Sequence, residues 1–154
     1  MREDRPIPRD EYATIAEHVP IVSVDLLVRM DGGLVLGKRT NEPAKGEWFV
    51  PGGSVLKGET REEAVHRVAR EELGCDVVID QCLGVYDHFY DAAASEGVES
   101  KQYLATAYVV TPTDDVFCSD NQHTELRTFQ EPFDGVHKYV ERYLDDIEGG
   151  YQFE

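Results

Sequence analysis

The chain has 154 residues, 41% of them hydrophobic, with 31 acidic against 15 basic residues and a formal net charge of −16. This length predicts one domain with its own core, and such a negative surface argues against DNA or RNA as a partner. No apolar run approaches the ~20 residues of a membrane-spanning helix, and the charged, proline-bearing N-terminus is unlike a signal peptide. We therefore expect a cytoplasmic protein without nucleic-acid or membrane partners.

The ratio of lysine to arginine adds to what the net charge indicates. Only five of the 15 basic residues are lysines. An excess of acids with little lysine is typical of proteins that work in concentrated salt, where screening removes self-repulsion. We predict a halophilic source, and an ordinary acidic cytosolic protein is the alternative.

Hydrophobic periodicity and turn residues predict the first elements. A short amphipathic helix is predicted over residues 9–19 and ends before a proline. An apolar, β-rich segment at 21–30 and a second at 34–40 predict two strands, joined by an Asp-Gly-Gly turn that is typical of a hairpin. A short strand at 48–50 is expected to end at the following Pro-Gly-Gly.

The second half continues the alternation of helices and strands. A helix is predicted over 60–73, because Thr60 and Glu63 match a capping box and Gly74 is placed to end it. The remaining predicted elements are strands over 76–90, 101–110 and 125–129 and an amphipathic helix over about 135–147. Strands with helices before, between and after them predict an α/β layered domain with a mixed sheet.

The helix over 60–73 places an acid on its apolar face. At roughly 100° per residue, Glu72 shares a face with Val65, Val68 and Ala69, and Glu71 lies at its flank. A carboxylate on an apolar face is costly unless a cation or metal compensates for the lost hydration. The alternative is that the helix end turns outward and Glu72 reaches water.

Residues near this helix favour a phosphate and metal site. Two glycines upstream allow the backbone to approach a ligand and offer a carbonyl to a cation. Glu59 and Arg67 are spaced to pair with each other, and Arg39 ends the second strand as a candidate phosphate clamp. Oxygen ligands of this kind suit Mg²⁺ or Mn²⁺ rather than zinc.

Residues 53–75 resemble the Nudix box, a pattern of Gly, five residues, Glu, seven residues, then Arg-Glu-apolar-any-Glu-Glu-any-Gly-apolar. The positions that fill it are Gly53, Glu59, Arg67, Ala69, Glu71, Glu72, Gly74 and Cys75. Only the Glu after the Arg is missing, and Val68 stands in its place. The resemblance implies a Nudix fold, an α/β/α sandwich with a central mixed β-sheet, as one domain over 1–154.

The missing Glu narrows the resemblance to one branch. In ordinary Nudix enzymes this acid contributes to a metal cluster that drives water onto phosphorus. The GDP-mannose mannosyl hydrolases lack it, and "LGKRTNEPAKGEWFVPGG", "GVYDHFYD" and "DNQHTELRTF" look like their counterparts there. That branch implies Mg²⁺-dependent cleavage of a nucleotide sugar at the sugar carbon, with inversion, by a homodimer. The tyrosine-rich final helix and the N-terminal helix are candidate dimer contacts.

The resemblance also implies a metal and base set. The metal would be held by the Gly52 carbonyl, Glu72 and Gln122, and Glu71 would support a further ion. His123 would be the general base, since the pKa of histidine lies near neutrality.

Other residues would contact the substrate. The resemblance implies that Asp25 and His88 face the sugar and that Arg39 and Tyr103 bind the diphosphate or stabilise it as it leaves. It places Arg67 near the metal and the phosphates.

Two further positions bear on substrate binding, whereas three of the histidines are expected at the surface. Tyr12 in the first helix is a candidate to stack on the nucleobase. Ser54 stands where the mannosyl hydrolases carry an Arg that acts on the diphosphate, and a serine cannot supply that charge. We expect His18, His66 and His137 to be surface residues.

Two other functions remain open at this point. One is a Nudix pyrophosphohydrolase that attacks phosphorus and binds metal through both Glu71 and Glu72. The other is an inactive domain that senses a nucleotide sugar, against which the presence of Glu72, Gln122 and His123 argues.

Overall fold

The computed structural model describes residues 7–39, 46–91, 100–116, 123–130 and 136–147. The helices are α1 (Arg9–His18), α2 (Arg61–Leu73) and α3 (Lys138–Asp145). The strands are β1 (Ile21–Met30), β2 (Gly33–Arg39), β3 (Trp48–Phe49), β4 (Gly52–Ser54), β5 (Val77–Tyr90), β6 (Lys101–Pro112) and β7 (His123–Phe129). Within the described ranges, no helix is both long and apolar enough to cross a membrane.

All seven strands belong to one mixed sheet. Its main order is β3-β2-β1-β6-β5, with β4 added to β1 and β7 added to β2. The pair of β1 and β6 is parallel, and the other pairs are antiparallel. Strand β1 divides its pairing, because residues 28–30 pair with β2 and residues 23–25 pair with β4. This fork lies at the centre of the candidate site.

Local signals in the sequence form the expected turns and caps. Asp31 and Gly32 both have positive φ, at 51° and 74°, as a two-residue hairpin turn of this kind requires. Helix α2 begins with the predicted capping box of Thr60 and Glu63 and ends at Gly74 in the left-handed conformation. These contacts fix where α2 starts and stops relative to the glycine turn before it.

Helices cover both faces of the sheet, which confirms the predicted α/β/α arrangement. The apolar face of α2, including Val65 and Val68, packs in one core cluster with Val24 and Leu26 of β1. Helix α3 packs on the opposite face, where Val140 and Tyr143 join a second cluster with Leu27. Alternate residues of β1 thus serve two cores.

Two local features differ from the sequence predictions. Strand β4 contains Gly52 and Gly53, which were expected to form only a turn, and it exists because it pairs with β1. Helix α3 is shorter at both ends than predicted. His137 is its N-cap and accepts a hydrogen bond at Nδ1 from the Tyr139 N–H at 3.1 Å, and Asp146 is its C-cap. His137 is therefore buried rather than on the surface as predicted.

Candidate active site

The acid predicted on the apolar face of α2 is buried. Glu72 is only 3% exposed and lies on α2 with buried Val65, Val68 and Ala69. The prediction from the helical wheel is confirmed, and the alternative in which the helix end turns to water is wrong. Because a buried carboxylate is costly unless compensated, this position favours Glu72 as a ligand of a cation.

The carbonyl of Gly52, opposite Asp25, is directed away from strand β1. The Leu26 N–H donates to the Pro51 carbonyl at 2.8 Å, and Asp25 lies opposite Gly52. Hydrogen-bonded and non-hydrogen-bonded pairs alternate in an antiparallel ladder, so Asp25 and Gly52 form a non-hydrogen-bonded pair. The Gly52 carbonyl therefore points away from β1, as its implied role as a metal ligand requires.

The same position needs a glycine because of the Asp25 side chain. A Cβ on Gly52 would lie 2.5 Å from Asp25 Oδ1 and 2.7 Å from the Val24 carbonyl oxygen. Neither distance leaves room for a methyl group. The absence of a side chain at Gly52 thus lets the carboxylate of Asp25 approach the glycine turn.

Val68 fills the space above the second glycine. It is 1% exposed, and its Cγ2 would lie 3.0 Å from a Cβ on Gly53. Val68 belongs to the core cluster between α2 and β1. The side chain that replaces the missing acid of the Nudix box is therefore a packing residue at the glycine turn.

Arg67 holds the loop before α2 to the helix. Its guanidinium donates to Glu59 at 2.7 and 3.0 Å, to Glu71 at 3.1 Å and to the Ser54 carbonyl at 2.7 Å. The predicted pairing of Glu59 with Arg67 is confirmed. Since Nε, Nη1 and Nη2 all donate to groups of the box, the described contacts give Arg67 a structural role, and its implied place near the phosphates stays a prediction.

Removing this guanidinium should destabilise the fold. In Arg67→Met we expect the free energy of unfolding to fall by about 3 kcal/mol, because the largely buried Glu59 loses its cation. The matched control is Arg70→Met on the same helix, whose exposed guanidinium lies 3.7 Å from Asp76. An exposed pair contributes about 0–1 kcal/mol. Urea unfolding of both variants measures the difference, and equal losses would contradict the role given to Arg67.

The donors in this region fit a hard divalent cation. Within the part of the chain that the structure describes, no three His, Cys, Asp or Glu side chains cluster as a metal site. The implied set has a different composition, with the Gly52 carbonyl, the buried Glu72 carboxylate and Gln122, which lies outside the described residues. Carbonyl and carboxylate oxygens suit Mg²⁺ and Mn²⁺. Glu71 bonds to Arg67, so a role in a second metal ion stays a prediction.

Three polar side chains form a buried cluster between β1, β5 and α3. The Tyr143 hydroxyl donates to Asp25 Oδ2 at 2.5 Å and lies 3.2 Å from His88 Nε2. The His88 ring stacks on Tyr139, with centroids 4.0 Å apart and the planes 6° from parallel. Asp25 is 7% exposed, His88 is 3% exposed and Tyr143 is fully buried.

Burial shifts the pKa values of this cluster in opposite directions. It raises the pKa of Asp25 to about 6, against the hydrogen bond from Tyr143 and the charge of Arg39. It lowers the pKa of His88 to about 4, with a smaller contribution from His137. Near pH 7 the cluster therefore holds a carboxylate beside a neutral imidazole.

Arg39 acts electrostatically on both Asp25 and Tyr103. Burial raises the pKa values of Asp25, Tyr90 and Tyr103, and the positive charge of Arg39 opposes that rise at all three. The rings of Tyr103 and Tyr90 meet edge to face at 5.7 Å. Arg39 is thus linked electrostatically to Asp25 and Tyr103, and the implied contacts of these three residues with the sugar and the diphosphate stay predictions.

Helix α1 contributes Tyr12 to this side of the sheet. Tyr12 packs with Tyr103 in a small cluster and interacts with it by hydrogen bonding. The buried Lys101 ammonium donates to the Tyr12 hydroxyl at 3.4 Å and lies 4.8 Å from the centre of its ring. Tyr12 is therefore held by the protein at the edge of the site, and stacking on a nucleobase stays a prediction.

The implied general base is described only in its backbone. His123 begins β7 and lies opposite Arg39 in the pairing of β7 with β2. This register brings the main chain of His123 beside Arg39, whose charge opposes the rise in the pKa of Asp25. Gln122 lies outside the described residues, as does the loop before it.

Sequence analysis missed the tyrosines of α3. The tyrosine-rich final helix was interpreted as a candidate dimer contact, but its Tyr143 points inward to Asp25. A phenol in the centre of a buried helix face needs a polar partner. The sequence also places an acid, Asp25, in the apolar strand β1. A buried phenol and a buried acid that both need a partner would have predicted the pair of Tyr143 and Asp25.

Comparisons with known proteins agree with this geometry. Residues 19–144 match the NUDIX domain family. The chain is 56% identical over 142 residues, 92% of its length, to the Low-salt glycan biosynthesis protein Agl8 of Haloferax volcanii, of which the match covers 91%. It is 46% identical over 67 residues, 44% of its length, to an ADP-ribose pyrophosphatase of Methanocaldococcus jannaschii, of which the match covers 40%.

Solved structures show the same fold. A MutT NUDIX hydrolase from Burkholderia pseudomallei aligns with a TM-score of 0.67 at 26% identity, covering 84% of this chain and 99% of that one. A NUDIX hydrolase from Nitrosomonas europaea aligns with a TM-score of 0.67 at 19% identity, covering 88% and 93%, and supports the fold alone. With the family match over most of its length and the box built around Arg67 and Glu72, the chain belongs to the Nudix hydrolase family.

Proposed function

We propose that the protein is a Mg²⁺-dependent hydrolase of nucleoside diphosphate sugars of the GDP-mannose type, with Mn²⁺ as an alternative ion. It cleaves the bond between the sugar carbon and oxygen, giving nucleoside diphosphate and free sugar with inversion. The observation that carries this proposal is Val68, buried in the core where an ordinary Nudix box has an acid. The name of the Haloferax volcanii relative, which refers to glycan biosynthesis, supports a sugar-linked substrate.

The proposed roles of the residues are those that the resemblance to the mannosyl hydrolases implies, and the burial of Glu72 and Asp25 supports them. The Gly52 carbonyl, Glu72 and Gln122 would hold the ion, which supplies positive charge to the departing diphosphate. Arg39 adds charge on the same side. Asp25, an ionised carboxylate near pH 7, stabilises positive charge that develops at the sugar carbon. His123 takes the proton of the attacking water as the carbon–oxygen bond breaks.

A second candidate is attack on phosphorus. The position of Glu71 favours it, because this acid directly precedes the buried Glu72 on α2 and would add a second carboxylate for metal. The partial match to a protein named ADP-ribose pyrophosphatase is consistent with that chemistry. Against it, Val68 offers no third carboxylate on the face of α2 that carries Glu72.

Product analysis in ¹⁸O-water tests the proposal. The enzyme is incubated with Mg²⁺ and GDP-mannose, and mass spectrometry locates the label in the phosphates. We expect GDP with unlabelled phosphates and free mannose. Guanosine monophosphate with mannose 1-phosphate, or label in any phosphate, would support the second candidate. Binding without turnover over a panel of nucleotide sugars would point instead to a sensor.

A further inference from the structure

The buried contact between Tyr143, Asp25 and His88 has a direction. The hydroxyl of Tyr143 has one proton, and two neighbours compete for it: Asp25 Oδ2 at 2.5 Å and His88 Nε2 at 3.2 Å. A hydrogen bond to a carboxylate is shorter and stronger than one to a neutral nitrogen. The proton of Tyr143 therefore lies toward Asp25.

This assignment fixes the proton on the imidazole. With its own proton donated to Asp25, the oxygen of Tyr143 can only accept from His88. His88 is a neutral ring, because burial lowers its pKa to about 4, and a neutral imidazole has a single N–H. His88 Nδ1 lies 4.0 Å from Asp25 Oδ2, beyond hydrogen-bond distance, whereas Nε2 lies 3.2 Å from the Tyr143 oxygen. This geometry favours the proton on Nε2, so that the chain runs from the His88 N–H through the Tyr143 hydroxyl to Asp25.

The surroundings of His88 leave it little access to a ligand. The ring of Tyr139 covers one face at 4.0 Å, and the side chain is nearly enclosed. Asp25 has the greater exposure of the two, and its Oδ1 faces the glycine turn at Gly52 while its Oδ2 is used by Tyr143. The two oxygens of Asp25 thus have separate partners, one inside the core and one toward the site.

We propose that Tyr143 is a positioning residue that fixes the orientation of the Asp25 carboxylate, and that His88 acts through Tyr143 as its Nε2–H donor rather than by contact with the sugar. The hydrogen bonds all donate toward Asp25, so each strengthens the next. The inference about activity rests on the function proposed above, whereas the position of the proton does not.

Nitrogen NMR tests the proton assignment without any substrate. In ¹⁵N-histidine-labelled protein at neutral pH, long-range ¹H–¹⁵N correlation distinguishes a protonated ring nitrogen from an unprotonated one. His88→Gln identifies the resonances of His88 by their loss. We expect Nε2 protonated and Nδ1 unprotonated, and a shift toward the other tautomer in Tyr143→Phe. Protonated Nδ1 in the unaltered protein would overturn the proposal, whether or not nucleotide sugars are turned over.

Activity of paired variants tests the role of each group. Tyr143→Phe should lower kcat by about 10- to 100-fold with little change in KM. Tyr86→Phe is the control, since the Tyr86 hydroxyl bonds to Asp146 at 2.9 Å, and it should leave kcat unchanged. An unchanged kcat in a folded Tyr143→Phe protein would contradict the positioning role.

Two substitutions of His88 separate its two nitrogens. The amide of Gln places an N–H near the position of Nε2, whereas the amide of Asn reaches only the position of Nδ1. His88→Gln should therefore retain most of kcat and His88→Asn should lose it, by a factor similar to that of Tyr143→Phe. The reverse order would show that His88 works through Nδ1 on the substrate.

Discussion

The variant Asp25→Asn should be more stable than the unaltered protein at pH 7 and nearly inactive. Burial raises the pKa of Asp25 to about 6 from an ordinary value of 3.8, so the folded state holds the charged form at a cost. An amide of the same shape removes that cost, and we expect the free energy of unfolding to rise by about 2–3 kcal/mol. Turnover should fall about 100-fold or more, because the carboxylate proposed to stabilise positive charge at the sugar carbon is lost.

The dependence on pH gives this prediction its sign. Between pH 3.8 and about 6 the folded protein binds more protons at Asp25 than the unfolded chain does, so this residue's contribution to stability falls as pH rises through that window. The gap in stability between Asp25→Asn and the unaltered protein should therefore be small at pH 4 and largest above pH 6. His88 acts oppositely in both proteins and cancels in the difference.

Urea unfolding across this pH range, with a chelator present to exclude metal, measures the gap. Asp87→Asn on the exposed face of β5 is the matched control and should show no such growth with pH. A gap that stays constant from pH 4 to pH 7 would mean that the charge of Asp25 carries no cost in the fold. A loss of stability in Asp25→Asn would mean that its bond to Tyr143 outweighs the burial of the charge.

Helix α2 was predictable because its signals are local. The capping box, the left-handed Gly74 and the period of Val65 and Val68 all act within a few residues, and together they set which face is buried. The burial of Glu72 followed from the same period. The Nudix pattern added the activity, and no argument from periodicity would have supplied it.

The features that sequence analysis missed depend on distant contacts. Strand β4 forms although glycine disfavours strands, because β1 offers it a pairing edge at residues 23–25. Tyr143 and Asp25 are 118 positions apart, and only the packing of α3 on the sheet brings them together. His137 is buried for the same reason, because it caps a helix whose packing position on the sheet no local signal gave. The sequence thus predicted which face of a helix is buried, but not which residues of the sheet that face contacts.

Val68→Glu should change which bond the enzyme breaks. Val68 lies on the same face of α2 as Glu72, four residues earlier, and against Gly53. A carboxylate there would place a further metal ligand next to the glycine turn, as in an ordinary Nudix box. In ¹⁸O-water we expect the variant to give products labelled in phosphate, whereas the unaltered protein gives none.

The same substitution carries a cost that metal should reduce. Without an ion, a charged side chain in the core between α2 and β1 should lower the free energy of unfolding by about 3 kcal/mol. Mg²⁺ that binds the folded variant would restore part of this loss. Val68→Gln matches the size of Glu without its charge, so it should show neither the phosphate label nor the rescue by Mg²⁺. If Val68→Glu folds with Mg²⁺ and still yields unlabelled GDP, residue 68 does not choose the bond, and the selection of carbon over phosphorus must come from the groups around Asp25.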